Sequence, residues 1–140
     1  MFPGMSAGTS SRPLVEKLGI KPGTRIAVLD APRGYPTTLG RLPTGVTVRK
    51  VARGPLPIIQ YFVTRRSRLE ARLPALLRAL APGGSLWVSW PKQASGVSTD
   101  LTEDVVRAVA LPRGLVDVKV CAIDGTWSGL KLVRRRRPGE

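Results

Sequence analysis

Residues 85–107 read SLWVSWPKQASGVSTDLTEDVVR, and this stretch decides the fold. Leu86 to Trp90 is a largely apolar run of strand-forming residues, and a polar turn containing Gly96 follows it. Asp100 and Glu103 then stand at the spacing of a helix cap, and Leu101, Val105, Ala108 and Val109 share one face beyond it. Strand, turn and capped helix in that order form the unit from which open α/β sheets build their binding edge. A site is therefore expected where this strand ends.

On the amino-terminal side, residues 67–81 predict a helix. Ser67 and Glu70 have capping-box spacing, and Leu69, Leu73, Leu76, Leu77 and Leu80 lie on one face. Pro74 predicts a kink or the start of a second segment, and Gly83 and Gly84 close the helix. Residues 57–63 predict a strand, with Gln60 an awkward polar residue inside IIQYFV. VTVRKV at 46–51 alternates and is β-branched, which predicts another. RIAVLD at 25–30 does not alternate, as expected of a strand covered on both faces. A short helix at 13–18 ends at Gly19, and residues 35–42 hold a helical turn or two.

On the carboxyl side, Pro112 to Gly114 breaks the last helix. Residues 116–123 predict a strand, DGTWS at 124–128 a loop, and 129–133 a final strand returning antiparallel. The whole reads as one domain over residues 13–133, with a flexible lead-in at 1–12 and a basic flexible tail at 134–140. Strands alternating with helices imply a three-layer α/β architecture around a mostly parallel sheet. One junction resists this: residues 52–57 supply about 20 Å of extended chain, whereas a parallel crossover usually takes a dozen residues or more. Either 46–51 is an abbreviated edge strand with a stretched crossover, the preferred reading, or it pairs antiparallel.

Composition narrows the chemistry. With 42% hydrophobic residues the chain can build a core, and no apolar run approaches the length of a membrane span. The opening MFPGMSAGTSS lacks the features of a signal peptide, so a cytoplasmic protein is expected. One cysteine, Cys121, permits no internal disulfide and reads as a packed strand thiol. Histidine is absent, which removes histidine-based nucleophile pairs and imidazole metal ligands; no ligand cluster supports a metal site. The net charge of +14 invites nucleic acid. The charges are nevertheless spread from Arg12 to Arg137, with runs only at Arg65, Arg66 and Arg68 and at Arg134 to Arg137. A solvated basic surface with nonspecific nucleic-acid contact ranks ahead of a dedicated interface.

Two stretches resemble the Rossmann-like methyltransferases that use S-adenosylmethionine. LAPGGSLWVSW at 80–90 is similar to their helix, Pro-Gly-Gly and strand passage, and VLDAPRG at 28–34 to a degraded form of their cofactor-cradling first motif. The resemblance implies a sheet of order 2-1-3-4-6-5 ending in an antiparallel hairpin, and S-adenosylmethionine as a possible cofactor. Ala31, Pro32 and Arg33 depart from the small residues that motif needs. Ala52 and Arg53 follow 46–51 where the resemblance implies an acid for the ribose hydroxyls. A strand-and-helix unit is also missing between Val51 and Pro57. LVEKLGIKPG, SWPKQASGVSTDLTEDVVR and LVDVKVCAIDGTWSGLKLVRR further resemble a bacterial family of short Rossmann-like proteins, a domain of unknown function. That resemblance implies a fold and no activity.

If strands 25–30, 58–63, 85–90 and 116–123 run parallel, their carboxyl ends share one rim. The rim gathers Asp30 and Arg33, then Thr64, then Lys92, Ser95 and Gly96, then Asp124, Trp127 and Ser128, with Trp90 and Tyr35 as further aromatic lining. Lys92 with the Ser95–Gly96 turn could hold an anion, but Asp100 and Glu103 at the same helix start oppose it. Asp30 and Asp124 could form an acid–base pair, although satisfying loop amides is the simpler role. No residue stands out as catalytic. The preferred expectation is a non-catalytic module that binds a small molecule or a protein partner at this rim. A reduced S-adenosylmethionine-dependent methyltransferase and a basic nucleic-acid-binding protein are the alternatives.

Overall fold

The computed structural model describes residues 12–135. The lead-in up to residue 11 and the tail from residue 136 lie outside the described residues. Six strands form one sheet in the order β2-β1-β3-β4-β6-β5. In chain order they are β1 (Arg25–Leu29), β2 (Thr47–Arg49), β3 (Leu56–Phe62), β4 (Leu80–Pro91), β5 (Leu115–Ala122) and β6 (Trp127–Arg134). The four α-helices among the described residues are α1 (Leu14–Leu18), α2 (Tyr35–Leu39), α3 (Arg66–Ala79) and α4 (Glu103–Ala110). Strands β1 to β4 pair parallel, and β6 runs antiparallel between β4 and β5. The three-layer α/β fold and its expected strand order are therefore as read from the sequence.

Each central strand serves two cores, which is why its sequence does not alternate. Ala27 and Leu29 of β1 face one side, with Ile59 and Tyr61 of β3 and Leu86 and Val88 of β4. On that side α3 contributes Leu69, Leu73, Leu76 and Ala79, and α4 contributes Val106, Val109 and Ala110. The opposite core joins Ile26, Val28, Ile58, Phe62 and Trp87 to Val15 and Leu18 of α1 and to Tyr35 and Leu39 of α2. Burying one leucine stabilises the fold by roughly 1.5–3 kcal/mol, so the α3 face dominates the first core.

The short junction after β2 resolves as the stretched crossover. Because β2 has three residues, the chain must return only about 10 Å along the strands and about 10 Å across two spacings. Residues 50–55 reach about 20 Å when extended, enough for the diagonal. The crossover passes so close to the end of α3 that a Cβ on Gly54 would lie 2.2 Å from the Ala79 carbonyl oxygen.

Several local expectations are corrected. Ser67 and Glu70 form no capping box: Arg65 is the N-cap position of α3, and the Asp100 carboxylate accepts the Arg66 amide at 2.8 Å. Asp100 consequently does not cap α4, where Thr102 Oγ1 accepts the Val105 amide at 3.2 Å. A single helix runs from Arg66 to Ala79, so Pro74 does not begin a second segment. On α4 the buried residues are Val106, Val109 and Ala110, with Ala108 exposed. Arg134 ends β6, and its guanidinium donates to the Leu77 and Leu80 carbonyls where α3 passes into β4.

Candidate functional site

Asp30 follows β1 directly, with φ at 56°, the one positive-φ residue other than glycine among those described. A short acidic side chain tolerates this left-handed geometry better than a bulky one. The turn carries residues 31–34 away from the sheet, and α2 brings the chain back. Tyr35 anchors that return: its buried hydroxyl donates to Gln60 Oε1 at 2.6 Å, and Gln60 Nε2 donates to Ser89 Oγ at 3.3 Å. Gln60, which interrupts the apolar run of β3, thereby holds the loop after β1. Burial outweighs the Gln60 bond and pushes the Tyr35 hydroxyl pKa above its ordinary 10.

Between this loop and β2 lies a cleft of about 630 Å³. Val28, Leu39, Leu42 and Val48 supply apolar wall, while Asp30, Arg33 and Lys50 supply charge. A second, smaller cavity of about 270 Å³ opens on the other flank of Asp30, over the end of β3. Tyr61, Phe62, Thr64, Arg68 and Trp127 line it. The direction of chain progression reverses between β1 and β3, the position where open α/β sheets receive ligands. Asp30 borders both spaces and lies 3.8 Å from Arg72.

The expected rim residues do converge, since Pro91 pairs with Trp127 and the Lys92 amide donates to the Thr126 carbonyl at 2.8 Å. Their roles divide. Asp30 and Arg33 border the cleft, and Asp30 and Trp127 the smaller cavity. Lys92, Ser95, Gly96, Asp124 and Ser128 border neither. Lys92 Nζ donates to the Asp124 carbonyl at 2.8 Å, which ties two loops together. Asp124 Oδ1 accepts the Thr126 and Trp127 amides at 2.8 and 2.9 Å, the loop-closing role. Ser95 Oγ donates to the Lys92 carbonyl at 2.6 Å and accepts from the Val97 amide, while Gly96 takes φ of 80°. Their short 3₁₀ turn ends well before α4, so α4 does not begin at that turn. Ser128 lies within β6 opposite Trp90 and Ala122. Trp90 belongs to the α3-side core rather than to the rim.

Lys50 and Arg68 were not singled out by sequence as site residues. Lys50 stands one position past β2 and borders the cleft near where the resemblance implied an acid. Its only sequence signal was adjacency to a strand end that periodicity placed two residues too late. Burial pushes the half-buried Cys121 thiol up, in keeping with a packed residue. Among the described residues, no group of three or more His, Cys, Asp or Glu could hold a metal ion. Nor is any described helix long and apolar enough to cross a membrane.

No family model matches the chain, and no curated protein matches it in sequence. Solved structures do match. An S-adenosylmethionine-dependent methyltransferase from Aquifex aeolicus superposes with a TM-score of 0.63 at 12% identity, over 85% of this chain and 86% of that one. Fibrillarin from Methanococcus jannaschii, a pre-rRNA processing protein, gives 0.61 at 12% identity over 93% and 72%. A TehB-like methyltransferase from Corynebacterium glutamicum gives 0.58 at 14% identity over 92% and 91%. Identities this low speak to architecture alone. With the six-strand order, they identify the fold as that of the S-adenosylmethionine-dependent methyltransferases.

Proposed function

We propose that the protein is methyltransferase-like and that the cleft bordered by Asp30, Arg33 and Lys50 holds an adenosine-based cofactor, S-adenosylmethionine first among them. The observation that carries this reading is the cleft itself: about 630 Å³, apolar on one side, beyond the carboxyl ends of β1 and β2. That volume falls in the range of small-molecule and cofactor sites. Val48, Leu39 and Leu42 would pack an adenine ring, Lys50 would donate to ribose hydroxyls, and Arg33 would meet the amino-acid carboxylate. Asp30 would face the cationic end. When bound, the cofactor supplies an electrophilic methyl group.

A second reading, a module that binds its ligand without chemistry, is favoured by Lys50 standing near where the resemblance implies an acid and by Pro32 in the loop. Calorimetry of S-adenosylmethionine and its demethylated product against the full chain tests the first step shared by both readings. Binding that is lost on Val48→Trp, which fills the cleft from an exposed edge position, supports the site. No heat at millimolar ligand ends the cofactor proposal. Methyl transfer to any acceptor then separates the enzyme from the binding module.

A further inference from the structure

We propose that the smaller cavity binds a second ligand: a small planar molecule whose carboxylate or phosphate rests on Arg68. The inference rests on the methyltransferase-like reading only for the ligand's role as substrate; its binding is argued from the cavity alone.

The basic run at Arg65, Arg66 and Arg68 is the starting observation. It opens α3 beside the carboxyl end of β3, and the neighbouring acids are already engaged. Glu70 pairs with Arg66 at 3.1 Å, Asp100 accepts the Arg66 amide, and Asp30 lies 3.8 Å from Arg72. Arg65 reaches Ser98 Oγ at 3.4 Å. Arg68 has no ion-pair partner among the described residues, and it is the arginine of this run that lines the cavity. Arg72, one turn on, lies 5.2 Å over the Tyr61 ring and thereby braces the cavity wall. Asp30 also lines the cavity, but Arg72 stands beside it, and Arg68 is left as the lining cation without an ion-pair partner among the described residues.

The remaining wall selects shape. Phe62 meets Trp127 edge-on at 5.1 Å, and Thr64 adds a hydroxyl. A space of about 270 Å³ bordered by these rings suits one substituted ring and not a folded polymer segment. A charge-assisted hydrogen bond from guanidinium to an anionic oxygen is roughly twice as strong as a neutral one, so the acid group carries the selectivity.

The test titrates benzoate, phenyl phosphate and neutral benzyl alcohol into the full chain and follows the Thr64 amide and the Trp127 indole by NMR. The two anions separate carboxylate from phosphate as the preferred group. Arg68→Gln, at an exposed position, should weaken the anions at least ten-fold, whereas Arg78→Gln further along α3 should leave them unchanged. Benzyl alcohol binding as tightly as either anion would overturn the proposal. So would equal losses in the two variants, which would mean diffuse surface charge. A single-stranded oligonucleotide binding through Arg68 where the small anions do not would replace it with a polyanion site. The demethylated cofactor product is titrated in parallel. Its failure beside Arg68-dependent anion binding would fell the cofactor reading and leave this cavity standing; the converse result would do the reverse.

Discussion

The Asp100 carboxylate accepts the Arg66 amide at 2.8 Å, across 34 positions of sequence. The same loop reaches back a second time, because Thr99 Oγ1 donates to the Thr64 carbonyl at 2.7 Å. Together these bonds fix where α3 begins, and with it where Arg68 stands relative to the rim. Asp100→Ala should cost about 1–2 kcal/mol in denaturant unfolding, as loss of a helix cap does, and Asp100→Asn much less. Ser67→Ala should change stability by under about 0.5 kcal/mol, since Ser67 caps nothing. Equal losses for Asp100→Ala and Ser67→Ala would return the cap to the local sequence.

That contrast also marks what the sequence made legible. Runs such as RIAVLD and SLWVSW betray doubly covered strands through composition, so a mostly parallel sheet was readable, while its order came only from the methyltransferase resemblance. Capping spacing is a local signal, and S-x-x-E beside D-x-x-E cannot reveal that the second acid serves the first helix. Trp90 looked like rim lining because it ends a strand; only the side of the sheet it faces sends it to the core. Lys92 and Asp124 were legible as neighbours, but the direct Lys92-to-carbonyl bond was not. The cleft beside Lys50 depends on the three-residue length of β2, which alternation overestimated.

Lys92→Met keeps the aliphatic stem and removes the donor that joins the two rim loops. Loss of a bond from a charged group costs about 1.5–3 kcal/mol when its partner is left unpaired. The expected signature is faster amide exchange at Thr126 and Trp127 with the central strands unchanged. Unaltered exchange in that loop would mean the tie contributes nothing.

Tyr35→Phe strips the hydroxyl that satisfies Gln60 inside the sheet face. A buried polar group left without its partner costs about 1–3 kcal/mol, so the variant should unfold earlier in denaturant while keeping its fold. The pH dependence has a definite sign. Burial raises the Tyr35 pKa above 10, so its stabilising contribution is full below that value and is lost as pH climbs through the higher folded value. Burial also raises Tyr61, so spectrophotometric titration should show both tyrosines ionising above the ordinary 10, with Tyr35 giving the late step. Tyr35→Phe should remove that late step.

Asp117 on β5 accepts a bond from Arg107 Nε at 2.7 Å. This bond, more than any other cause, holds the Asp117 carboxyl below its usual 3.8. A depressed carboxyl favours the folded state above that ordinary value and ceases to do so as pH falls through the folded value. NMR titration should place Asp117 below 3.8, and Arg107→Gln should bring it back up. An Asp117 titration indifferent to Arg107→Gln would refute the assignment.

Chemical-shift mapping with the demethylated cofactor product would locate the ligand on the sheet edge. The largest changes should fall on amides of residues 30–31, 33–35, 39–40 and 48–50, around the cleft between β1 and β2. Changes centred instead on residues 92–96, with the cleft amides unmoved, would contradict that placement.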